Sequence, residues 1–421
     1  MSQFLKVKTA EEVMAIVRQL QPPGIETVAL EDACGRVPAD GVWAPEPVPH
    51  FDRAVMDGYA VIARDTFGAS ETLPALLEIA GEVSMGEAVS LKMESGKAVA
   101  IPTGGMLPAG ADAVSMVEYT SALDDKTIEV IKPVAPGDNV LRAGEDIRAG
   151  EELFRAGRRL RPQDVGVLAA LGITTVSVYR RPRVAILSTG DEIVPASTTV
   201  LPPGKIRDIN TFTIVGQVKE AGGMVGEKAF VPDDLESLVA ACRKALADHD
   251  VLLLSGGSSV GIRDFTLRIL DDFPEAELLV HGVALRPGKP TILARIGKKI
   301  FWGLPGQPMS AMMICKAFVL PSLMILEGES HAEAAALPAA TANSVSALLS
   351  RQLPSVHGRT DYIPVILSTS EEKTLATPVF GKSAMISTLA RSDGYIIVPE
   401  HVEGLDRGAR VTVHLFSRWH G

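Results

Sequence analysis

Asp250-Val251-Leu252-Leu253-Leu254-Ser255-Gly256-Gly257-Ser258-Ser259-Val260-Gly261 runs an apolar strand straight into a turn of small residues, with Arg263, Asp264 and a helix beginning near Phe265 behind it. Such a turn leaves backbone N–H groups free beside a helix N-terminus, where the macrodipole also favours an anion. Phosphate binding at Gly256, Gly257 and Ser258 is one reading, and a tight βα turn with no ligand is the other. The stretch matches neither the Walker A pattern nor GxGxxG, so the class of phosphate ligand stays open. Upstream, Val184 to Leu187 reads as a buried strand, Thr211 to Ala221 as a helix closed by Gly222-Gly223, and Asp234 to Ala247 as a second helix. This alternation predicts a parallel sheet with its ligand crevice at the carboxyl ends of the strands.

Ser188-Thr189-Gly190-Asp191-Glu192 follows the first of these strands and is expected to face the Gly256 turn, with Asp208 of Gly204-Lys205-Ile206-Arg207-Asp208-Ile209-Asn210 on the same rim. Glu192, Asp208 and Asp264 would then converge. Carboxylates in that arrangement suit a hard divalent ion such as Mg²⁺, although each one taken singly reads equally well as a helix N-cap. Arg286-Pro287-Gly288-Lys289-Pro290 sets two cations three residues apart on a rigid turn after a predicted strand, and both could reach one anion. Gly303-Leu304-Pro305-Gly306-Gln307-Pro308-Met309-Ser310 enters a helix, with Ser310 either an N-cap or a ligand to a pterin-like ring.

Farther out, Thr9 and Glu12 form a capping box ahead of Val13, Ile16, Val17 and Leu20, so the chain opens with an amphipathic helix. From Ala44 to about Asn139 short apolar runs separated by glycines read as a β-rich module. After it, a short helix ending at Gly172 resembles the opening segment, which makes the module an insertion. Within and beside the module lie Met56-Asp57-Gly58-Tyr59-Ala60, Thr103-Gly104-Gly105 and Arg142-Ala143-Gly144-Glu145-Asp146-Ile147, the last reading on its own as a salt-bridged loop. Beyond Glu327, the alanine-rich stretch His331 to Ala342 looks like a linker. The runs Tyr362 to Leu367 and Tyr395 to Val398 then predict a final β domain.

A chain of 421 residues should form two to four domains. Its net charge of −10, with no long basic run, argues against nucleic acid as a partner. Cys34, Cys242 and Cys315 form no metal-ligand cluster, which fits a reduced cytoplasmic setting. The N-terminus lacks a signal-peptide core, and the apolar segment Ala311 to Leu326 is interrupted by Lys316 and Pro321, so no membrane span is expected. Neither a Ser/His/Asp pattern nor HExxH appears.

Eight stretches taken together resemble one family: FDRAVMDGYAV, IPTGGMLPAGADAV, RAGEDIRAG, PRVAILSTGDEI, GKIRDIN, SGGSSVGIRDF, RPGKP and GLPGQPMSAM, in family order over most of the chain. The chain is similar to the molybdopterin molybdenumtransferases, the MoeA-type enzymes related to the gephyrin C-terminal domain. This resemblance implies an α/β plus β fold in an elongated homodimer. Its parts would be a split linker domain (1–43 and 140–179), an inserted β-rich domain (44–139), a MogA-like three-layer α/β/α domain (180–327) and a C-terminal β-barrel (328–421). It implies that adenylylated molybdopterin and molybdate react with the help of Mg²⁺, releasing AMP, in a cleft shared between subunits.

Carried over by position, Asp208 and Asp264 resemble the metal-holding acids, Glu192, Asp146 and Asp57 further cleft acids, and Thr103 with Gly104 a binding turn. Arg142, Arg286 and Lys289 resemble the cations that meet molybdate or phosphate, and Ser383 of Gly381-Lys382-Ser383 a serine approaching from the C-terminal domain. Ser188, Thr189, Gly190, Pro305, Gly306 and Ser310 complete the pterin-binding set. Arg286 replaces the first lysine of the family's common turn, and Ala54 stands where a serine is often found. A molybdopterin adenylyltransferase and a non-catalytic gephyrin-like scaffold are the alternatives, and contacts with an adenylyltransferase or molybdoenzyme chaperones would follow from the family.

Overall fold

The computed structural model describes residues 7–256, 260–330, 344–370 and 373–416, and for 260–264 the backbone alone. The alanine-rich stretch expected as a linker lies outside the described residues. The chain forms two compact units: Met1–Asp40 with Ala156–Arg161 and Thr175–Gly421, and Gly41–Arg155 with Pro162–Thr174.

In the smaller unit a mixed six-stranded sheet has the order Ala113–Met116, Gly58–Val61, Lys97–Ile101, Ala75–Glu82, Thr127–Val130, Thr120–Ala122. Each face carries its own cluster, one around Val99 and Val114, the other around Ala98 and Ile128, as the period of two demands. Gly58 is fixed by contact, because a Cβ there would sit 2.0 Å from the Ser115 carbonyl oxygen on the neighbouring strand. The helix Pro162–Ala170 belongs to this unit too, where Val167 packs against Ala44, Ile147 and Leu171.

The larger unit opens with α1 (Ala10–Val17), whose capping box is formed as read: Thr9 N–H donates to Glu12 Oε2 at 2.7 Å and Glu12 N–H to Thr9 Oγ1 at 3.2 Å. β1 (Ile25–Ala29) pairs with β2 (Thr175–Tyr179). A six-stranded sheet follows from β3 (Arg183–Thr189), α2 (Asn210–Glu220), β4 (Met224–Val231), α3 (Leu235–Asp248), β5 (Val251–Gly256), α4 (Val260–Asp271), β6 (Ala276–His281), β7 (Ile292–Ile296) and β8 (Lys299–Leu304), in the order β4-β3-β5-β8-β7-β6. Alternate residues point to opposite faces. Val184, Ile186, Leu253 and Trp302 meet α2 and the long helix described next, whereas Ala185, Leu187, Leu254 and Phe301 meet α3 and α4. The result is three layers, α/β/α.

Two expectations need correction. The sheet is parallel only over β4, β3, β5 and β8, because β7 and β8 form a hairpin across Gly297-Lys298, where Gly297 has φ 59°, and β6 pairs antiparallel beyond them. The helix expected near Phe265 begins at Val260, so Arg263 and Asp264 lie inside α4 rather than on the loop before it. α5 runs from Pro308 to Leu326 with a π-helical turn at Cys315–Val319. By length and a mean hydropathy of 1.9 it qualifies as a membrane span, yet 83% of it is buried within the protein. Here it is the central core helix, packing Phe318 against Trp302.

The C-terminal strands β9 (Ser344–Leu349), β10 (Thr360–Ser370), β11 (Lys373–Pro378), β12 (Gly394–Val398) and β13 (Arg410–Leu415) close on themselves. The chain of pairings β10-β11-β9-β13-β12 returns to β10, forming a five-stranded barrel filled by Leu349, Val365, Val398 and Val413. The expected β domain is present. Leu285-Arg286 joins its edge, paired in parallel with Thr360-Asp361.

Candidate active site at the sheet rim

The carboxyl ends of β3, β5 and β8 lie at one edge of the sheet, and antiparallel β7 starts there, so Lys289–Thr291 reach the same rim. From β3 the chain moves outward to β4, then crosses back to β5 on the other side. This makes the gap between the ends of β3 and β5 the topological switch point, where open α/β sheets bind ligands. Ser188, Thr189 and Gly256 are buried there, with Ser188 Oγ 2.8 Å from Thr211 Oγ1. Asn210 ties the rim together by donating from Nδ2 to Ser255 Oγ at 2.7 Å and to the Gly306 carbonyl at 2.9 Å. A carbonyl can only accept, so this contact fixes which way the amide faces.

One acid of this rim is bonded to the backbone through its carboxylate. Asp208 Oδ1 accepts from Thr211 N–H at 3.1 Å across the entry to α2, whose N-cap residue is Ile209 and not the acid. Glu192 and Asp208 bracket a short parallel pair, Ile193-Val194 with Ile206-Arg207, held by Ile206 N–H to the Glu192 carbonyl at 2.7 Å and Asp208 N–H to the Val194 carbonyl at 2.9 Å. Among the described residues no three of His, Cys, Asp or Glu form a group able to hold a metal. Gly257, Ser258 and the side chain of Asp264 lie outside the described residues. Asp233 is an acid the sequence reading missed. Thr189 Oγ1 donates to it at 3.2 Å, and burial raises its carboxyl above the ordinary aspartate value, helped by the nearby charges of Asp191, Glu192 and Asp234.

Next to this crevice a cleft of about 1380 Å³ opens between the sheet domain and the barrel. One wall is the turn Arg286–Pro290 with Gly303–Gln307, and the other carries His357, Arg359, Phe380, Lys382 and Ser383. Arg286, Lys289 and Lys382 are exposed, and no carboxylate lies within ion-pair distance of any of them among the described residues. Their charge is unspent. The turn itself is rigid: Thr291 Oγ1 donates to the Gly288 carbonyl at 2.7 Å, and Gly288, at φ 133°, lies so near α5 that a Cβ would come within 2.5 Å of Ile314 Cδ1.

Ser383 reaches this cleft from the barrel side. Its hydroxyl donates to Gln307 Oε1, and its carbonyl accepts from Met309 N–H at 3.1 Å. Gln307 is the N-cap residue of α5, so Ser310 sits inside the helix, buried and lining the cleft, and is not the cap. Lys382, Arg359 and His357 were not singled out from sequence. Lys382 was legible as the neighbour of Ser383, but no spacing links Arg359 to a turn more than seventy residues upstream.

In the smaller unit two separate motifs meet. Asp57 Oδ1 accepts from Thr103 N–H at 2.7 Å and from Thr103 Oγ1 at 2.8 Å, and the Gly104 N–H donates to the Ala54 carbonyl at 2.8 Å. The bond from the Thr103 backbone, followed by that from its hydroxyl, holds the Asp57 carboxyl below the usual aspartate value. Arg142 and Asp146 are both exposed. The expected salt-bridged loop is instead a capped turn, in which Glu145 Oε2 accepts from Arg142 N–H at 2.8 Å.

A switch-point crevice beside a cleft with three cations unpaired among the described residues is the setting of an α/β enzyme, and it suits anionic ligands. The chain matches, in order, the models for the MoeA N-terminal region (domain I and II) over residues 6–172, a probable molybdopterin binding domain over 185–324, and the MoeA C-terminal region (domain IV) over 346–416. It therefore belongs to the MoeA family, the molybdopterin molybdenumtransferases. It is 33% identical over 418 residues to a molybdopterin molybdenumtransferase of Bacillus subtilis, covering 98% of this chain and 94% of that one. A putative molybdopterin biosynthesis protein of Methanocaldococcus jannaschii is 35% identical over 402 residues, covering 93% and 92%. The crystal structure of the molybdopterin biosynthesis MoeA protein of Pyrococcus horikoshii OT3 superposes with a TM-score of 0.81 at 31% identity, over 98% of this chain and 100% of that one.

Proposed function

We propose that this chain is a molybdopterin molybdenumtransferase that inserts molybdate into adenylylated molybdopterin and releases AMP. The observation that carries the reading is the trio Arg286, Lys289 and Lys382, unpaired among the described residues, around a cleft that adjoins the switch-point crevice. Two anions must meet for this reaction, and cations already in place offset their repulsion without reorganising. Ser188, Thr189, Gly190 and the turn at Gly256 would hold the phosphate part of the substrate. Pro305, Gly306, Ser310 and Ser383 would border the pterin part, and Arg286 and Lys289 would receive the oxyanion.

Asp208 fits a Mg²⁺ site. One of its oxygens serves Thr211, the other has no hydrogen bond among the described residues, and Mg²⁺ commonly takes one or two carboxylates plus substrate phosphate and water. Asp208, with Asp264, would hold the ion; when bound it neutralises charge on the pyrophosphate. Glu192 joins them on the rim it shares with Asp208, and Asp57, Thr103, Gly104, Arg142 and Asp146 enter the site on the strength of their motifs; in the family the inserted domain of a second subunit completes the cleft. A cytoplasmic homodimer that receives its substrate from an adenylyltransferase, divided at the four boundaries given above, belongs to the same reading. Sedimentation at micromolar concentration tests the dimer.

The decisive assay supplies adenylylated molybdopterin, Mg²⁺ and molybdate to the pure protein and follows AMP. Molybdate-dependent release supports the reading. Pyrophosphate released from ATP and metal-free molybdopterin would support an adenylyltransferase instead, and no AMP beside an active control enzyme would remove the proposal.

A further inference from the structure

Asp361 is the first residue after Thr360 in the strand that closes the barrel, and it is fully buried, an unusual setting for a carboxylate. Both of its oxygens are engaged: Oδ1 accepts from Arg359 Nε at 2.9 Å and Oδ2 from Ser355 Oγ at 3.0 Å. Its backbone lies opposite Arg286 in the strand pair that fastens the cationic turn to the barrel. Arg359 is about one-third exposed, at 32%, and lines the cleft. Because its bond to the acid uses Nε, both terminal nitrogens are without a partner among the described residues.

A buried ion pair often contributes less to stability than a well-packed apolar pair would, since desolvating two charges costs much of what their attraction returns. Retaining the charge here has another consequence. Four cations, Arg286, Lys289, Lys382 and Arg359, border one cleft, and Asp361 offsets one of them from behind the wall without taking up cleft space. Of the four, Arg359 alone is held by a carboxylate among the described residues, so it has the least freedom to swing away. A guanidinium held through Nε still presents its Nη pair, the edge that matches two oxygens of a tetrahedral oxyanion.

We propose that Asp361 is a positioning residue of the oxyanion site, which fixes Arg359 with its terminal nitrogens available to molybdate. This rests on the transferase reading given above. Asp361→Asn keeps the side-chain shape and removes the charge. It is expected to weaken molybdate binding about tenfold, read by calorimetry and as KM, while the KM for adenylylated molybdopterin stays put. Arg359→Ala should weaken molybdate binding at least as much, and the double variant should be no worse than Arg359→Ala alone, because the acid acts only through the guanidinium. Ser355→Ala, which removes one of the two bonds to the acid, should give a smaller loss in the same direction. It serves the same cycle if Asp361→Asn does not fold.

Additive losses in the double variant would overturn the proposal. So would a folded Asp361→Asn protein that binds molybdate as the unmodified chain does, or an Arg359→Ala protein with unchanged binding. If the unmodified protein releases no AMP, the transferase reading fails separately, and calorimetry with molybdate alone still reports on Asp361.

Discussion

The acid-bearing crevice and the cationic cleft share one sheet edge but use their charges differently. In the crevice, one Asp208 oxygen accepts from Thr211 N–H at the entry to α2, Lys205 Nζ donates to the Asp191 backbone carbonyl at 2.6 Å, and the loop is held by its own hydrogen bonds. In the cleft, Arg286, Lys289 and Lys382 make no ion pair among the described residues, while the turn beneath two of them is locked by Thr291 and Ile314. A carboxyl oxygen bonded to its own loop mainly maintains the fold. Charge held on a rigid frame and left unsatisfied is ready for a ligand.

The contrast fails if cleft cations prove dispensable. Lys289→Ala is expected to lower kcat/KM for molybdate by roughly 100-fold, in the range seen when one preorganised electrostatic contact to a transition state is lost. Its melting temperature should stay unchanged, because no partner is left behind. Gly288→Ala tests the frame: a Cβ 2.5 Å from Ile314 Cδ1 at φ 133° should cost about 1–3 kcal/mol in denaturant unfolding and displace both cations. An unaltered midpoint with full activity would show that the turn is not locked.

Asp208→Asn separates the bond to Thr211 from metal binding on the other side of the comparison. Asparagine keeps an oxygen able to accept from Thr211 N–H, so stability should hold within a few tenths of a kcal/mol. Mg²⁺-dependent turnover should nevertheless fall about tenfold or more. Equal turnover would leave Asp208 with the Thr211 bond alone.

The smallest effect concerns Asp57. Its carboxyl is held below 3.8, so the stability from the Thr103 bonds is present above the unfolded-state pKa and is lost only as pH falls through the lower folded-state value. An NMR titration should find the Asp57 midpoint below 3.8. Thr103→Val should move it only part of the way back, because the backbone N–H, the larger cause, survives the substitution.

Much of this arrangement was legible in the residues. The Thr9–Glu12 box and the strands at Val184 and Val251 follow from local chemistry that tertiary contacts did not override. The antiparallel return of β7 across Gly297-Lys298 lies beyond the strand–helix alternation from Val184 to Leu254 that predicts the parallel sheet. The start of α4 was placed late because a glycine at 261 suggested that the turn continued. Arg359 and the link between Asp57 and Thr103 depend on contacts between distant segments, 46 residues apart in the latter case, which no local pattern encodes.

Anomalous diffraction from crystals soaked in molybdate would locate the oxyanion without relying on turnover. A molybdenum peak is expected within hydrogen-bonding reach of the Arg286 guanidinium and the Lys289 ammonium. A peak confined to the Gly256 turn, with the cleft empty of metal, would contradict it.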